Sequence, residues 1–233
     1  MGPTVRGGAT TRRPAGWLDG LRRAHRPGRG IAPAPEVLWL LAVLIADLSH
    51  YDGADPEQHR AAWRLAEYLR DIVRCATALP AGYRYHTGLR CHRRPGRSRC
   101  PGHLVVARQD VPAEIGWSCS GCGDAGVITG WRGSSCDLSP SRPHVETPTL
   151  LVEITDDDHR LLRGLTVLDT DSMRIVYSAV RDERGLLFLT GDEDEIEDLA
   201  GFVAAEANHE ERRDRQRRLD LAYARLSDVL EGG

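Results

Sequence analysis

The sequence predicts an α+β chain in three parts: an N-terminal helical hairpin, a central three-stranded ribbon stapled through cysteines, and a C-terminal acidic α/β unit ending in a long helix. Three observations carry this expectation. Four of the six cysteines fall between Cys91 and Cys122, and Cys119 and Cys122 sit in a CSGCG turn. Apolar residues recur at helical spacing on both sides of that stretch. Charge is divided, with nine Arg against four acids over residues 81–145 and eleven Arg against twenty-two acids over residues 146–233.

A chain of 233 residues suits one large domain or two small ones. All 31 basic residues are Arg. Guanidinium is the better fork for phosphate or carboxylate, but an Arg-only set is also what a GC-rich coding sequence yields, so it does not by itself point to nucleic acid. Arg12-Arg13 precedes the apolar run Val37 to Ala46 by more than twenty residues. That run is flanked by Glu36 and Asp47 and is too short to span a bilayer. The expectation is a cytoplasmic protein without a membrane segment, in which a CxxCG turn serves a metal and not a disulfide.

Residues 1–35 are rich in Gly, Pro and Arg and read as a disordered basic tail. Residues 36–82 read as the hairpin, a scaffold or dimer interface. Its first helix, Glu36 to His50, is apolar on nearly every face up to Leu48. Asp55, Pro56 and Gln58 then fit the N-cap, first-turn and capping-box positions of a second helix. Its stripe runs through Ala62, Leu65, Ala66, Leu69, Ile72, Val73 and Ala76 and stops at Leu79-Pro80. Cys75 beside the stripe reads as a small packed residue. Residues 83–135 form the ribbon: Tyr83 to Leu89 enters the first cysteine, Leu104 to Arg108 is a strand, and alternation on either side of the CSGCG turn gives two more. Arg132 to Thr147 is loop.

Residues 148–233 form the acidic α/β domain with its C-terminal helix. LLVEI is a strand, and Thr155 to Asp158 caps a helix carrying Leu161, Leu162, Leu165 and Leu168. Asp171 or Ser172 opens MRIVYSAV, helical or extended. Asp182 to Gly185 turns into the strand LLFLT, and Gly191-Asp192-Glu193 begins a long helix that breaks or continues near Asn208. The last helix carries Leu219, Ala222, Leu226 and Val229 over a charged face, a stripe able to pack or to pair with another copy.

The cysteines carry the strongest chemical signal. In CSGCG both sulfurs can turn toward one ion, because Gly123 lets the backbone bend and its amides face the thiolates. Cys91 and Cys100 each end a candidate strand, so RRPGRSR between them bulges as a loop. Four thiolates make a closed, structural zinc site with no open position for water. His103, three residues after Cys100, is an alternative ligand, with Cys136 and His92 as weaker substitutes. Glu114 is the one carboxylate placed to invite a catalytic role, but zinc deaminases put that Glu in an HxE motif upstream of the paired cysteines, and no HxE precedes Cys119 here.

With RRPGR, CPGH, VPAEI, CxxCGD and GVI-GW in place, the chain resembles the zinc-ribbon superfamily. It is similar to a group of zinc-ribbon proteins of high-GC bacteria with no assigned activity, over a stretch extending to AAEANHE. The resemblance implies a metal at Cys91, Cys100, Cys119 and Cys122 and no reaction.

Arg93, Arg94, Arg97 and Arg99 on one short turn concentrate positive potential suited to anions. Trp117 and Trp131 are candidates for stacking bases, or else ribbon core, and the arginines would otherwise neutralise the acidic end of the chain. The acidic runs at Asp156 and Asp192 stand at helix starts, where they complement the dipole. The expected function is non-enzymatic: a zinc ribbon offering an Arg loop to nucleic acid or an acidic protein, with a regulatory role. The alternatives are an adaptor or antitoxin-like complex subunit in which zinc is purely structural, partnered or homodimeric through its helices, and a metal-dependent nuclease or hydrolase using the acidic runs.

Overall fold

The computed structural model describes residues 44–51, 60–139 and 149–232. The tail, the proposed cap at Asp55 to Gln58 and the start of the first expected helix lie outside them. Within them, eight strands form one mixed sheet, and this overturns the expectation of a separate three-stranded ribbon. The hairpin of β3 (His103–Asp110) and β4 (Ala113–Cys119) turns on Val111 and cis Pro112, and β5 (Ala125–Thr129) adds to β4. These three strands are the expected ribbon, but they have neighbours on both sides. β1 (Leu44–Asp47) lies parallel to β5, and β2 (Arg84–Arg90) is antiparallel to β3.

β1 also corrects the first helix of the expected hairpin. LIAD is extended, followed by a 3-10 turn over Leu48–Tyr51. An unbroken apolar run signals burial on every side, and a buried strand satisfies that as well as a buried helix; periodicity does not separate the two. Gly126 makes the pairing sterically available, because a Cβ there would stand 2.6 Å from the Leu44 carbonyl oxygen.

The second helix forms as its stripe predicts. α1 (Arg60–Ala78) buries Ala66, Leu69, Ile72, Val73, Cys75 and Ala76 and packs on β3. Thr77 locks its end to the loop after β5, its hydroxyl donating to the Val73 carbonyl at 2.8 Å and accepting from the Leu138 amide at 2.9 Å.

Beyond residue 149 the sheet continues through β6 (Leu150–Ile154), β7 (Val180–Arg181) and β8 (Leu187–Gly191), in the order β2-β7-β8-β6. Four helices cover this part. α2 (Asp156–Leu162) starts at a Thr155–Asp158 capping box, and α3 (Thr170–Tyr177) starts at Asp169 and settles MRIVYSAV as helical up to Tyr177. α4 (Glu193–His209) starts at an Asp192–Glu195 capping box and ends before α5 (Arg213–Glu231). The α5 stripe is occupied inside the chain: Leu219, Ala222 and Leu226 join the core formed by β6, β8 and α4.

The two parts have separate cores, and their backbone contact is slim. β2 pairs with β7 only at Thr87 and Val180. Side chains do most of the joining. Tyr177 of α3 inserts into the first core and donates to Asp71 Oδ1 of α1 at 2.8 Å, while Arg163 pairs with the other carboxylate oxygen. His159, 2% exposed, donates through Nε2 to the Val176 carbonyl at 2.9 Å. Its ring fills the space where Gly88 of β2 has no side chain.

Candidate metal centre and arginine loop

Cys91 follows β2, Cys100 precedes β3, Cys119 ends β4, and Cys122 lies in the turn into β5. Two antiparallel hairpins thus deliver four thiols to one end of the sheet, with all sulfurs within 4.8 Å of one another. Cys91 Sγ is 3.7 Å from Cys122 Sγ, and Cys100 Sγ is 3.6 Å from Cys119 Sγ. Sulfurs about 2.3 Å from a central ion at tetrahedral angles stand about 3.8 Å apart, so the donor set fits a four-thiolate metal site. A disulfide needs about 2 Å, and all six cysteines are free.

Backbone amides point at the sulfurs. Arg93 N donates to Cys91 Sγ at 3.4 Å, Gly102 N to Cys100 Sγ at 3.4 Å, and Gly121 N to Cys119 Sγ at 3.3 Å. Burial raises the Cys91 thiol, and without a cation its neighbours' thiols raise it further. Burial works against Cys119 as well, but the amides of Cys122 and Gly121 prevail and hold it below the usual thiol value.

The two knuckles touch backbone to backbone. A Cβ at Gly102 would stand 2.5 Å from Gly121 N and 2.6 Å from Cys119 Sγ. Gly102 and Gly121 are thus part of the site, and the sequence reading overlooked them. CPG and CSG, each a glycine placed just after a ligand, were the available signal.

His103 is drawn away from the sulfurs. Its Nε2 accepts from Arg181 Nη2 at 3.1 Å, with Asp156 Oδ2 3.3 Å away. Burial and the cations Arg181 and Arg90 lower it to about 4, so the ring is neutral at physiological pH. Cys136 is also outside the cluster, buried beside the end of α1. Glu114 lies near the hairpin tip, roughly 17 Å along β4 from Cys119.

Trp117 and Trp131 are 2% and 1% exposed. They are core and not stacking platforms, which corrects the expectation. Trp117 meets Tyr68 of α1 edge-on at 5.9 Å between ring centroids, and Trp131 lies under the guanidiniums of Arg108 and Arg132.

The loop between the first two ligands is an ordered turn. Cys100 N donates to the Arg93 carbonyl at 2.9 Å, closing it across its base, and Pro95–Arg97 forms a 3-10 turn. Gly96 and Arg97 both take positive φ, 61° and 71°. For Arg97 that conformation costs about 1 kcal/mol relative to Gly. Arg93 lies 3.6 Å from Asp124 of the second knuckle. Among the described residues, Arg94, Arg97 and Arg99 have neither an ion pair nor a side-chain hydrogen bond, and all three are exposed.

Several acids of the C-terminal part pair with other arginines. Asp156 takes Arg90 at 2.7 Å and also Arg181, Glu195 takes Arg174 at 2.8 Å, and Asp158 takes Arg225. Asp158 and Asp192 also act as caps. No contact joins the loop arginines to these acids. A pocket opens beside exposed Cys122, between His92–Pro95 and Cys122–Asp124.

No protein-family model, curated protein or solved structure matches the chain. Among the described residues, no helix is long and apolar enough to cross a membrane.

Proposed function

We propose that the chain is a non-enzymatic binding protein in which zinc, held by Cys91, Cys100, Cys119 and Cys122, fixes an arginine loop for an anionic partner. Zinc would supply a closed tetrahedral thiolate centre, structural and without an open position for water. The amides of Arg93, Gly102 and Gly121 share the charge that four thiolates would leave there. The observation that carries the reading is the state of Arg94, Arg97 and Arg99: exposed, without an ion pair or side-chain hydrogen bond among the described residues, and anchored at both ends by candidate ligands, while Asp156 and Glu195 pair elsewhere.

Two measurements test it. Elemental analysis should return one zinc per chain, lost in Cys100→Ser. On heparin, a generic polyanion, Arg94→Ala/Arg97→Ala/Arg99→Ala should elute at clearly lower salt than the parent; equal elution sinks the loop as the binding element. A second reading, an adaptor subunit with the same structural metal, draws on Leu221 and Tyr223, 60% and 42% exposed on α5. A stable protein partner lost on Leu221→Ser would favour it.

A further inference from the structure

The free guanidiniums do not stop at the loop. The ring of His92, at the root of the loop, meets the ring of Tyr68 on α1 edge-on, 4.1 Å between centroids. One and two turns N-terminal to Tyr68, on the same helical face, stand Arg64 and Arg60. Both are exposed and, like the three loop arginines, lack an ion pair or side-chain hydrogen bond among the described residues. Among the described residues, the nearby acids Glu67 and Asp124 are already engaged, Glu67 by Arg70 at 2.6 Å and Asp124 by Arg93 at 3.6 Å. Loop and helix therefore make one basic stripe of Arg60, Arg64, Arg94, Arg97 and Arg99.

We infer that this stripe grips the phosphate backbone of a nucleic-acid duplex without reading its bases, an inference that rests on the loop being the binding element. Protein partners draw affinity from aromatic or aliphatic anchors at the centre of an interface. The large hydrophobic side chains exposed among the described residues are Tyr83, Val111, Val167, Leu221 and Tyr223, and none belongs to the stripe. A single strand would need aromatic faces for its bases, and Trp117 and Trp131 are inside the core. What is left is charge with no exposed large hydrophobic anchor among the described residues, and the one ring at the loop's root, His92, is engaged by Tyr68. Guanidinium forks suit phosphate oxygens, and phosphate contacts bring affinity without sequence information.

The test is fluorescence anisotropy of the full chain against a mixed-sequence duplex of about 20 base pairs, between about 50 and about 200 mM salt. Five released counterions give a slope of log K against log salt of about −4.5, unchanged when the duplex sequence is permuted. Arg60→Ala/Arg64→Ala should reduce the slope to about −2.7 and the loop triple variant to about −1.8. An unchanged slope in Arg60→Ala/Arg64→Ala overturns the stripe and leaves the loop reading standing. Tighter binding to polyglutamate, or to a single strand of equal length, overturns the duplex and again spares the loop. Duplex binding indifferent to the loop substitutions overturns both.

Discussion

His159 shows how one buried side chain sets a pH limit. Burial, with Arg163 nearby, lowers it from 6.5 to about 4. The unfolded chain therefore binds a proton in that window that the folded chain refuses. Its contribution is intact above about pH 6.5 and is lost as pH falls toward 4, on the order of 3 kcal/mol. Urea midpoints at pH 7.5, 5.5 and 4.5 should fall in that order, and His159→Gln should make the fall shallower, leaving the part that half-buried His103 adds in the same window; an unchanged slope in the variant would place the sensitivity elsewhere. Gly102 offers a second single-residue test. Its added Cβ would press on Gly121 N and Cys119 Sγ, so Gly102→Ala should weaken metal retention against a chelator at least tenfold, with the far-UV spectrum unchanged. Gly201→Ala, exposed on α4 and with nothing within 4 Å of its added Cβ, is the control for retention.

At the scale of elements, Asp71 on α1 is the point where helix and second core meet. Removing it leaves Arg163 and the Tyr177 hydroxyl, both partly buried, without their acceptor. Asp71→Ala should cost about 2–3 kcal/mol in urea unfolding, against about 1 kcal/mol for the α4 cap variant Asp192→Ala. If the cap costs more, the ion-pair cluster is decorative. These elements also show what a sequence discloses. Helices with an apolar stripe, such as α1, or with a polar cap, such as α2 and α4, are legible because period and cap are local. β1 was not, because Leu44, Ile45 and Ala46 close an unbroken apolar run that carries no period. The width of the sheet was hidden too: β2 reads as one short strand, and nothing in it says that both edges are paired. The four thiols were legible from the CxxC turn, whereas the engagement of His103 by Arg181 depends on a residue 78 positions away. The two tryptophans carried a double meaning that only burial resolves.

For the whole molecule, the four-thiol cluster lies where β2 to β5 meet, so loss of an ion held there should loosen the first core more than the second. A chelator that strips the ion should lower the thermal midpoint by several degrees or more. Amide exchange should quicken over β2 to β5 before it quickens over β6, β8 and α4. Uniform acceleration across both cores would show that the metal supports the fold as a single unit.

The single backbone pairing at Thr87 and Val180 has a consequence of its own. Where a ladder is one rung wide, the halves melt together as far as side chains bind them: Asp71, Asp156 and their arginines, beside the buried rings of Tyr177 and His159. Such contacts weaken with ionic strength. In calorimetry, cooperativity should therefore be a property of the buffer: one transition at low salt, and two resolved peaks at about 1 M, where the Debye length shrinks to about 3 Å.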